Sequence, residues 1–476
     1  MTSATVVGAG PNGLAAAITL AANGVEVTVL EANDTIGGGA RSSEGLVPGL
    51  LHDHCSAIHP MAVGSAFLRA LDLDRYGLRW MLPEIDCVHP LDDGTAGVLY
   101  RSIELTAAGL GPDAPRWRSL FEGPARNFDA LARDIMRPLL HLPRHPITLT
   151  RFGIPTLLPA SATARIFNSA QARALFGGVA AHAFRPLHYP LTSAIGLGII
   201  TAGHRHGWAV AQGGSQQISN ALAHKLSDLG GVIETGTRIG SVTQLPPADI
   251  TVFDLAPSTV ADIMGDRLPG RISRAFRQFR RGPGAFKIDF AIEGGVPWTN
   301  PLAHLAGTVH LAGTYAELAA TEREVHAGRM PDRPFVLVGQ QYLADPPRSV
   351  GSIHPVWSYA HVPHGFAGDA TKAIIGQIER FAPGFRDRII AKRSHTTNEI
   401  FSENANFVGG DIMTGAKDVR QLVFGPRTTL SPYRLGVRGM YLCSAATPPG
   451  PGAHGMCGVN AATVALQDLG IKTTAI

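Results

Sequence analysis

The sequence predicts an α/β protein of two interleaved domains. One contains a strand–glycine turn–helix–strand unit, and the other is α+β, with a mixed or antiparallel sheet plus helices. Three features carry that expectation. The opening stretch to Glu31 runs strand, glycine turn, helix and strand; the closing stretch runs strand, Gly/Pro-rich loop and helix. Between them, Ala285–Ile292 alternates with the period of two that marks a strand. The composition agrees: 476 residues exceed one ordinary domain, and 45% hydrophobic with 16% charged residues describes a chain with a large core. The formal charge of +4, from Lys+Arg 41 and Asp+Glu 37, is too small over this length to imply a nucleic-acid partner.

Thr5-Val6-Val7 is a β-branched run that leads into Gly8-Ala9-Gly10-Pro11-Asn12-Gly13. A helix from Leu14 to Ala22 follows and stops at Asn23-Gly24, and Val25 to Leu30 forms the next strand, ending at Glu31. This is the order of a Rossmann-type dinucleotide site. Gly8 permits the tight turn, Gly10 lets a pyrophosphate approach the backbone, and Gly13 lets helix pack on strand. The helix start offers free N–H groups and partial positive charge to phosphates. Glu31 is placed to accept hydrogen bonds from ribose hydroxyls. A 2′-phosphate would be repelled there, so the site suits FAD or NAD rather than NADP.

After Glu31 the chain reads Ala32-Asn33-Asp34-Thr35-Ile36-Gly37-Gly38-Gly39-Ala40-Arg41-Ser42. Bare glycines with Arg41 could form a second clamp on a diphosphate, the alternative being a plain turn with a surface arginine. Near the other end, the strand Gly439 to Cys443 enters the loop Ser444 to Gly458, and a helix runs from Val459 to Leu469. A loop of this kind before a helix is again suited to receive an anion.

The middle of the chain, from about Leu71 to Ala211, reads as helical with many prolines, including Phe121 to Arg137 and Ile154 to Leu158. Gln212-Gly213-Gly214-Ser215 opens a helix, Ile218 to Leu229, followed by strands at Gly230–Thr235 and Ile250–Asp254. In Ala285–Ile292, Phe286, Ile288, Phe290 and Ile292 share one face, and Ala285, Lys287, Asp289 and Ala291 the other.

The four cysteines, Cys55, Cys87, Cys443 and Cys457, form no metal-ligand spacing and read as reduced thiols of a cytoplasmic protein. His354, His361 and His364, with Trp357 and Tyr359 among them, read as a pocket wall, and no metal is expected. Only Met1-Thr2-Ser3 precedes the first strand, so no leader is expected, and the apolar stretch Leu191 to Ala202 is too short to span a bilayer. Between Met136 and Leu158, Arg137, Arg144 and Arg151 alternate with Leu, Ile and Pro. That pattern reads as a solvated helical face or a peripheral membrane contact.

The acid, Gly-Gly loop, basic residue and hydroxyl from Glu31 to Ser42 resemble the extended dinucleotide signature of the amine oxidase and phytoene desaturase flavoprotein superfamily. Pro48-Gly49, Asn404-Ala405-Asn406, Gly409-Gly410-Asp411-Ile412, Ser431-Pro432-Tyr433 and the loop through His454-Gly455-Met456-Cys457-Gly458 narrow the likeness. They resemble its bacterial phytoene-dehydrogenase-like branch, related to the pyridine nucleotide-disulphide oxidoreductase domain 2 proteins. The likeness covers essentially the whole chain.

The resemblance implies an FAD-binding domain from residues 1–70, 212–275 and 426–476, and a substrate domain from 71–211 and 276–425. It implies FAD contacts from Gly8, Gly10, Pro11, Asn12, Gly13, Glu31, Ala32, Gly38, Gly39, Arg41, Ser56 and Ala445, with Ile239 beside the adenine. Gly455, Met456 and Cys457 would start a helix beneath the flavin. Where many relatives carry an acid after the last strand, this chain has Ser444-Ala445. Two side chains are catalytic candidates: His454, inside the terminal loop, and Lys287, matching a lysine that amine oxidases place near flavin N5. For Lys287 an ordinary pair with Asp289 is the competing expectation.

The implied activity is dehydrogenation or desaturation of a hydrophobic, isoprenoid- or lipid-like small molecule, with hydride passing to the flavin. A redox-neutral double-bond isomerase, an amine oxidase and a flavin-free prenyl- or lipid-binding escort protein are the alternatives. Oligomeric state is left open. All of this requires the two ends of the chain to meet at one crevice.

Overall fold

In the computed structural model, which describes residues 2–473, the β-branched run Ser3–Val7 becomes the middle strand of a five-stranded parallel sheet. Its neighbours are Glu26–Leu30 and Ile250–Phe253, with Val232–Glu234 and Met440–Leu442 outside them. Strands covered on both faces lose their alternation, which is why Val6, Val29 and Val252 are all fully buried. The outermost residues of the sequence segments 1–70 and 426–476 lie outside the described range.

The glycine turn passes directly into the helix Pro11–Ala21, three residues earlier than the expected Leu14, because proline is pre-shaped for the first helical position. The last helix, Met456–Asp468, likewise starts ahead of the expected Val459. It crosses the first helix so closely that a side chain on Gly458 would lie 1.9 Å from Asn12 O. That contact brings the carboxyl-terminal loop to the amino-terminal turn.

The second sheet has seven strands, in the order Ile389–His395, Gly284–Glu293, Ile353–Val362, Val336–Gly339, Ala306–Leu311, Ile85–Pro90, Ala96–Leu99. All its pairs are antiparallel except Ala306–Leu311 with Ile85–Pro90. The segment expected to be helical from Leu71 to Ala211 therefore supplies two strands of this sheet as well as helices. Ile85–Pro90 concealed itself because both faces are buried and two of its residues are polar, each held by one hydrogen bond to a distant partner. Asp86 accepts the Trp208 N–H at 2.9 Å, and His89 Nε2 lies 2.9 Å from Gly313 O. Phe121 to Arg137 is not one helix but two, Ala114–Arg126 and Phe128–Ile135, with Asn127 between them. Among the described residues, no helix is long and apolar enough to cross a membrane.

Phe286, Ile288, Phe290 and Ile292 enter one core cluster, which leaves Lys287 and Asp289 on the opposite face, buried nonetheless. Arg348, only 1% exposed, reaches Asp53 at 2.6 Å, Asp345 at 2.9 Å and Ala211 O at 2.8 Å. It thereby ties three distant stretches of chain together.

Candidate functional site

A cleft enclosing about 2140 Å³, counted with the solvent at its mouth, runs between the two sheets. One end is lined by Gly8, Gly10, Pro11, Asn12, Glu31, Ala32, Gly38 and Gly39, by Ile239 and Asp254, and by Ser444, Ala445 and Pro451–Ala453. The two ends of the chain thus meet at one crevice, as required. The other end is lined by Ile58, Met61, Ile199, Leu337, Trp357, Tyr359, Ile412 and Met413, with His182, Trp208 and Thr308.

At the first end, Gly8 adopts φ +105°, a backbone shape that only glycine takes without strain. A side chain on Gly13 would lie 2.0 Å from Gly8 O, so helix and turn are in direct contact. The Glu31 carboxylate accepts the Ala9 N–H at 2.8 Å and the Asn33 N–H at 2.9 Å, which fixes it at the cleft wall. The first-turn N–H groups of the helix have no intrahelical partner: Pro11 carries no N–H, and the Gly13 N–H donates outside the helix to Asp254 Oδ2 at 2.9 Å.

Asp254 has a role that the sequence did not disclose. It ends the strand Ile250–Phe253, where only its position as a strand terminus could be read. In the fold it sits under the glycine turn, 2.7 Å from where a Gly10 side chain would begin. Burial pushes its carboxyl up to about 7, the Glu31 charge adds to this, and the Gly13 N–H opposes it. Asn406 lies behind it, accepting the Ala256 N–H at 2.6 Å and donating to Asp254 O at 3.3 Å. The stretch Ser402–Phe407, of which the sequence marked only Asn404–Asn406 as a family feature, forms a further cleft wall.

A smaller chamber of about 390 Å³ adjoins the cleft, lined by Arg41, His54, Cys55, Lys287, Trp357, Tyr359 and Glu403 among others. Arg41 faces this chamber. Its guanidinium donates to Gly38 O at 3.0 Å and Glu403 O at 2.5 Å, so much of its donor capacity is spent on backbone. Lys287 Nζ lies 2.5 Å and 2.7 Å from the two Asp289 oxygens, the pair named as the competing expectation. Asp289 also meets His395 Nε2 at 3.0 Å, and His395 Nδ1 meets Glu403 at 3.0 Å. Burial would raise the Asp289 carboxyl, but Lys287 foremost and His395 after it hold it well below the usual range.

His454 requires a correction. Its ring does not line the cleft, whereas Pro451, Gly452 and Ala453 do. The ring is 2% exposed, and its Nδ1 accepts the Met456 N–H at 3.1 Å, bracing the start of the last helix. Burial lowers it to about 4, so it is neutral near pH 7. Gly455, Met456 and Cys457 also stand behind the cleft wall rather than in it. Gly455 packs against Ala15 and Phe67, Met456 packs on the core, and Cys457 Sγ donates to Thr447 O and Gly450 O. Gly13 supports the turn from behind, and Ser56 lies on the cleft.

Burial pushes the thiols of Cys55 and Cys457 up to about 12, so neither is a thiolate at neutral pH. His354, His361 and His364 are engaged separately, with Ser349, Glu322 and Gly282 O respectively. At the apolar end, burial lowers His182 to about 3, leaving a neutral ring.

The first end of the cleft fits an FAD. Its glycine turn is kept free of side chains, its helix start is open to a diphosphate, and its acid is held at the wall. Asn12 Oδ1 and Ser444 Oγ are buried there without a partner.

A family model for NAD(P)-binding Rossmann-like domains matches residues 6–71. The chain is 24% identical to the pyridine nucleotide-disulfide oxidoreductase domain-containing protein 2 of Mus musculus, over 98% of this chain and 93% of that protein. Its fold superposes on wild-type putrescine oxidase bound to putrescine with a TM-score of 0.60 at 17% identity, covering 99% of each chain. It also superposes on the CLA-producing fatty acid isomerase from P. acnes with a TM-score of 0.59 at 13% identity, covering 98% of each chain. These likenesses bear out the resemblance and the fold class read from the sequence. Because the two solved structures carry different reactions on one fold, the fold alone does not choose between them.

Proposed function

We propose that this chain, which carries the fold of the FAD-dependent amine oxidase and phytoene-dehydrogenase-like superfamily over its whole length, is an FAD-dependent oxidoreductase acting on a hydrophobic, isoprenoid- or lipid-like molecule. One observation carries the reading: a single cleft has a glycine cradle with an acid at one end and an apolar wall at the other. FAD bound there supplies the hydride acceptor.

The chain supplies grip and orientation. The turn Gly8–Gly13 and the helix start would hold the diphosphate of that group, and Glu31 would accept from its ribose hydroxyls. Ile199, Leu337, Trp357 and Tyr359 hold the substrate by burial and exclude water. At the apolar end the His182 ring is neutral and the Tyr359 phenol is pushed well up by burial, so neither is ionised near pH 7. Such a wall suits hydride removal from an unactivated or allylic C–H, where orientation rather than proton transfer lowers the barrier.

The test is to purify the protein, extract and identify any copurifying lipid or polyene, and present it anaerobically while following the flavin spectrum. Stoichiometric bleaching supports the proposal. An unchanged flavin with a moved double bond would reassign the protein as a redox-neutral isomerase, and bleaching by amines alone as an amine oxidase. A protein that stays colourless after FAD is added would point to a lipid-binding escort.

A further inference from the structure

Eighteen large apolar side chains are exposed among the described residues, and eight of them fall within residues 139–166. That stretch is less than a tenth of the chain, so the exposure is concentrated rather than scattered. Leu142 is 92% exposed, Ile147 70% and Ile154 63%.

The helix Pro146–Thr156 explains the pattern. Phe152 is buried and Leu149 half-buried on its inner side, against the core that includes the helix Thr192–His206. Ile147 and Ile154, seven residues apart and therefore on one face, stand outward with Arg151 between them. Leu139, Leu140 and Leu142 extend this surface before the helix, and Leu157 extends it after.

An ordinary solvated face mixes both signs of charge. Here the chain carries no Asp or Glu from Ile135 to Ser227, while Arg137, Arg144, Arg151 and Arg165 fall in or beside the exposed stretch. The nearest acid, Asp134, is buried, accepting the Arg144 and His145 N–H groups and facing His141. The surface is therefore apolar with positive charge and no exposed acid of its own. That combination is complementary to a lipid surface, where apolar side chains enter the acyl boundary and arginines meet phosphate headgroups.

We infer that residues 139–166 form a peripheral docking surface for an anionic lipid bilayer. The inference does not rest on the flavin reading. The docked surface also lies near the cleft, because the helix Thr192–His206 packs on the helix Pro146–Thr156 and carries Ile199 into the cleft wall.

The test is co-sedimentation of the full chain with sucrose-loaded vesicles of phosphatidylcholine alone, or of phosphatidylcholine with phosphatidylglycerol. The protein is expected to pellet with the anionic vesicles and to be released by salt. Arg144→Gln and Arg151→Gln should each weaken binding about fivefold. Leu142→Asp/Ile147→Asp/Ile154→Asp should abolish pelleting with an unchanged circular dichroism spectrum. Leu142→Asp alone, at a nearly fully exposed loop position, should weaken it without any risk to folding. Failure of the natural chain to pellet with anionic vesicles, or undiminished pelleting of the Leu142→Asp and triple variants, would overturn the inference. So would a dimer in solution that the triple variant converts to monomer, since the occupant would then be a second copy of this chain.

Discussion

The Asp254 carboxylate oxygen Oδ2 accepts the Gly13 N–H at 2.9 Å, so a buried acid from the middle of the chain supports the glycine turn at its beginning. Its charge state should be visible in stability. Burial raises the folded carboxyl from 3.8 to about 7. Folding therefore takes up a proton between those values, and stability is full below the lower one and declines as pH rises towards the upper. Asp254→Asn keeps an acceptor for Gly13 and removes the titration. Above pH 7 the variant should be more stable than the natural protein, by up to about 4 kcal/mol, with the difference closing near pH 4. Parallel melting curves for the two proteins across that range would refute this.

Arg348 is buried between Asp53 and Asp345, and removing it leaves both carboxylates without their cation. Arg348→Met should cost about 3–5 kcal/mol in urea unfolding. Burial opposes ionisation of Asp53, but Arg348, Ser42 and the Ser215 N–H together hold its carboxyl below the usual range. That stabilisation is present above the unfolded value and is lost as pH falls through the folded one. Acid unfolding of Arg348→Met should therefore begin at higher pH than in the natural protein. Coincident acid transitions would count against the role.

Lys287 is either a structural partner of Asp289 or a group that acts in the adjoining chamber, and a double-mutant cycle separates the two. Lys287→Met alone leaves Asp289 buried beside His395 and should cost about 3 kcal/mol. Lys287→Met/Asp289→Asn should recover most of that loss. If turnover recovers along with stability, Lys287 is structural. If the double variant is stable and flavin-loaded yet inactive, Lys287 contributes to the chemistry.

His454 braces the last helix through Met456 and does not face the cleft. His454→Asn keeps an acceptor near the Met456 N–H and should retain turnover within about twofold, at a stability cost of about 1 kcal/mol. A large fall in turnover at unchanged flavin content would return this histidine to the reaction.

Glu31 holds the Ala9 and Asn33 N–H groups at the cradle wall. Glu31→Ala should lower the flavin content of purified protein, since bonds to a charged acceptor are worth about 1.5–3 kcal/mol each. Flavin content equal to that of the natural chain would remove Glu31 from the site.

The sequence by itself determined the glycine turn, its helix, Glu31 and the alternating strand at Ala285–Ile292. Each of these depends on local conformation or on a periodicity that a short stretch carries alone. It did not disclose the strand Ile85–Pro90, whose Asp86 and His89 break the apolar pattern and find their hydrogen-bond partners only at positions distant in sequence. Nor did it disclose Asp254 beneath the turn or the inward ring of His454. Direction and burial there are set by packing between segments hundreds of residues apart. Only the tertiary structure decided which side chains face the cleft. A motif fixes how the backbone turns, and what that backbone meets is chosen by long-range contacts that no window of sequence contains.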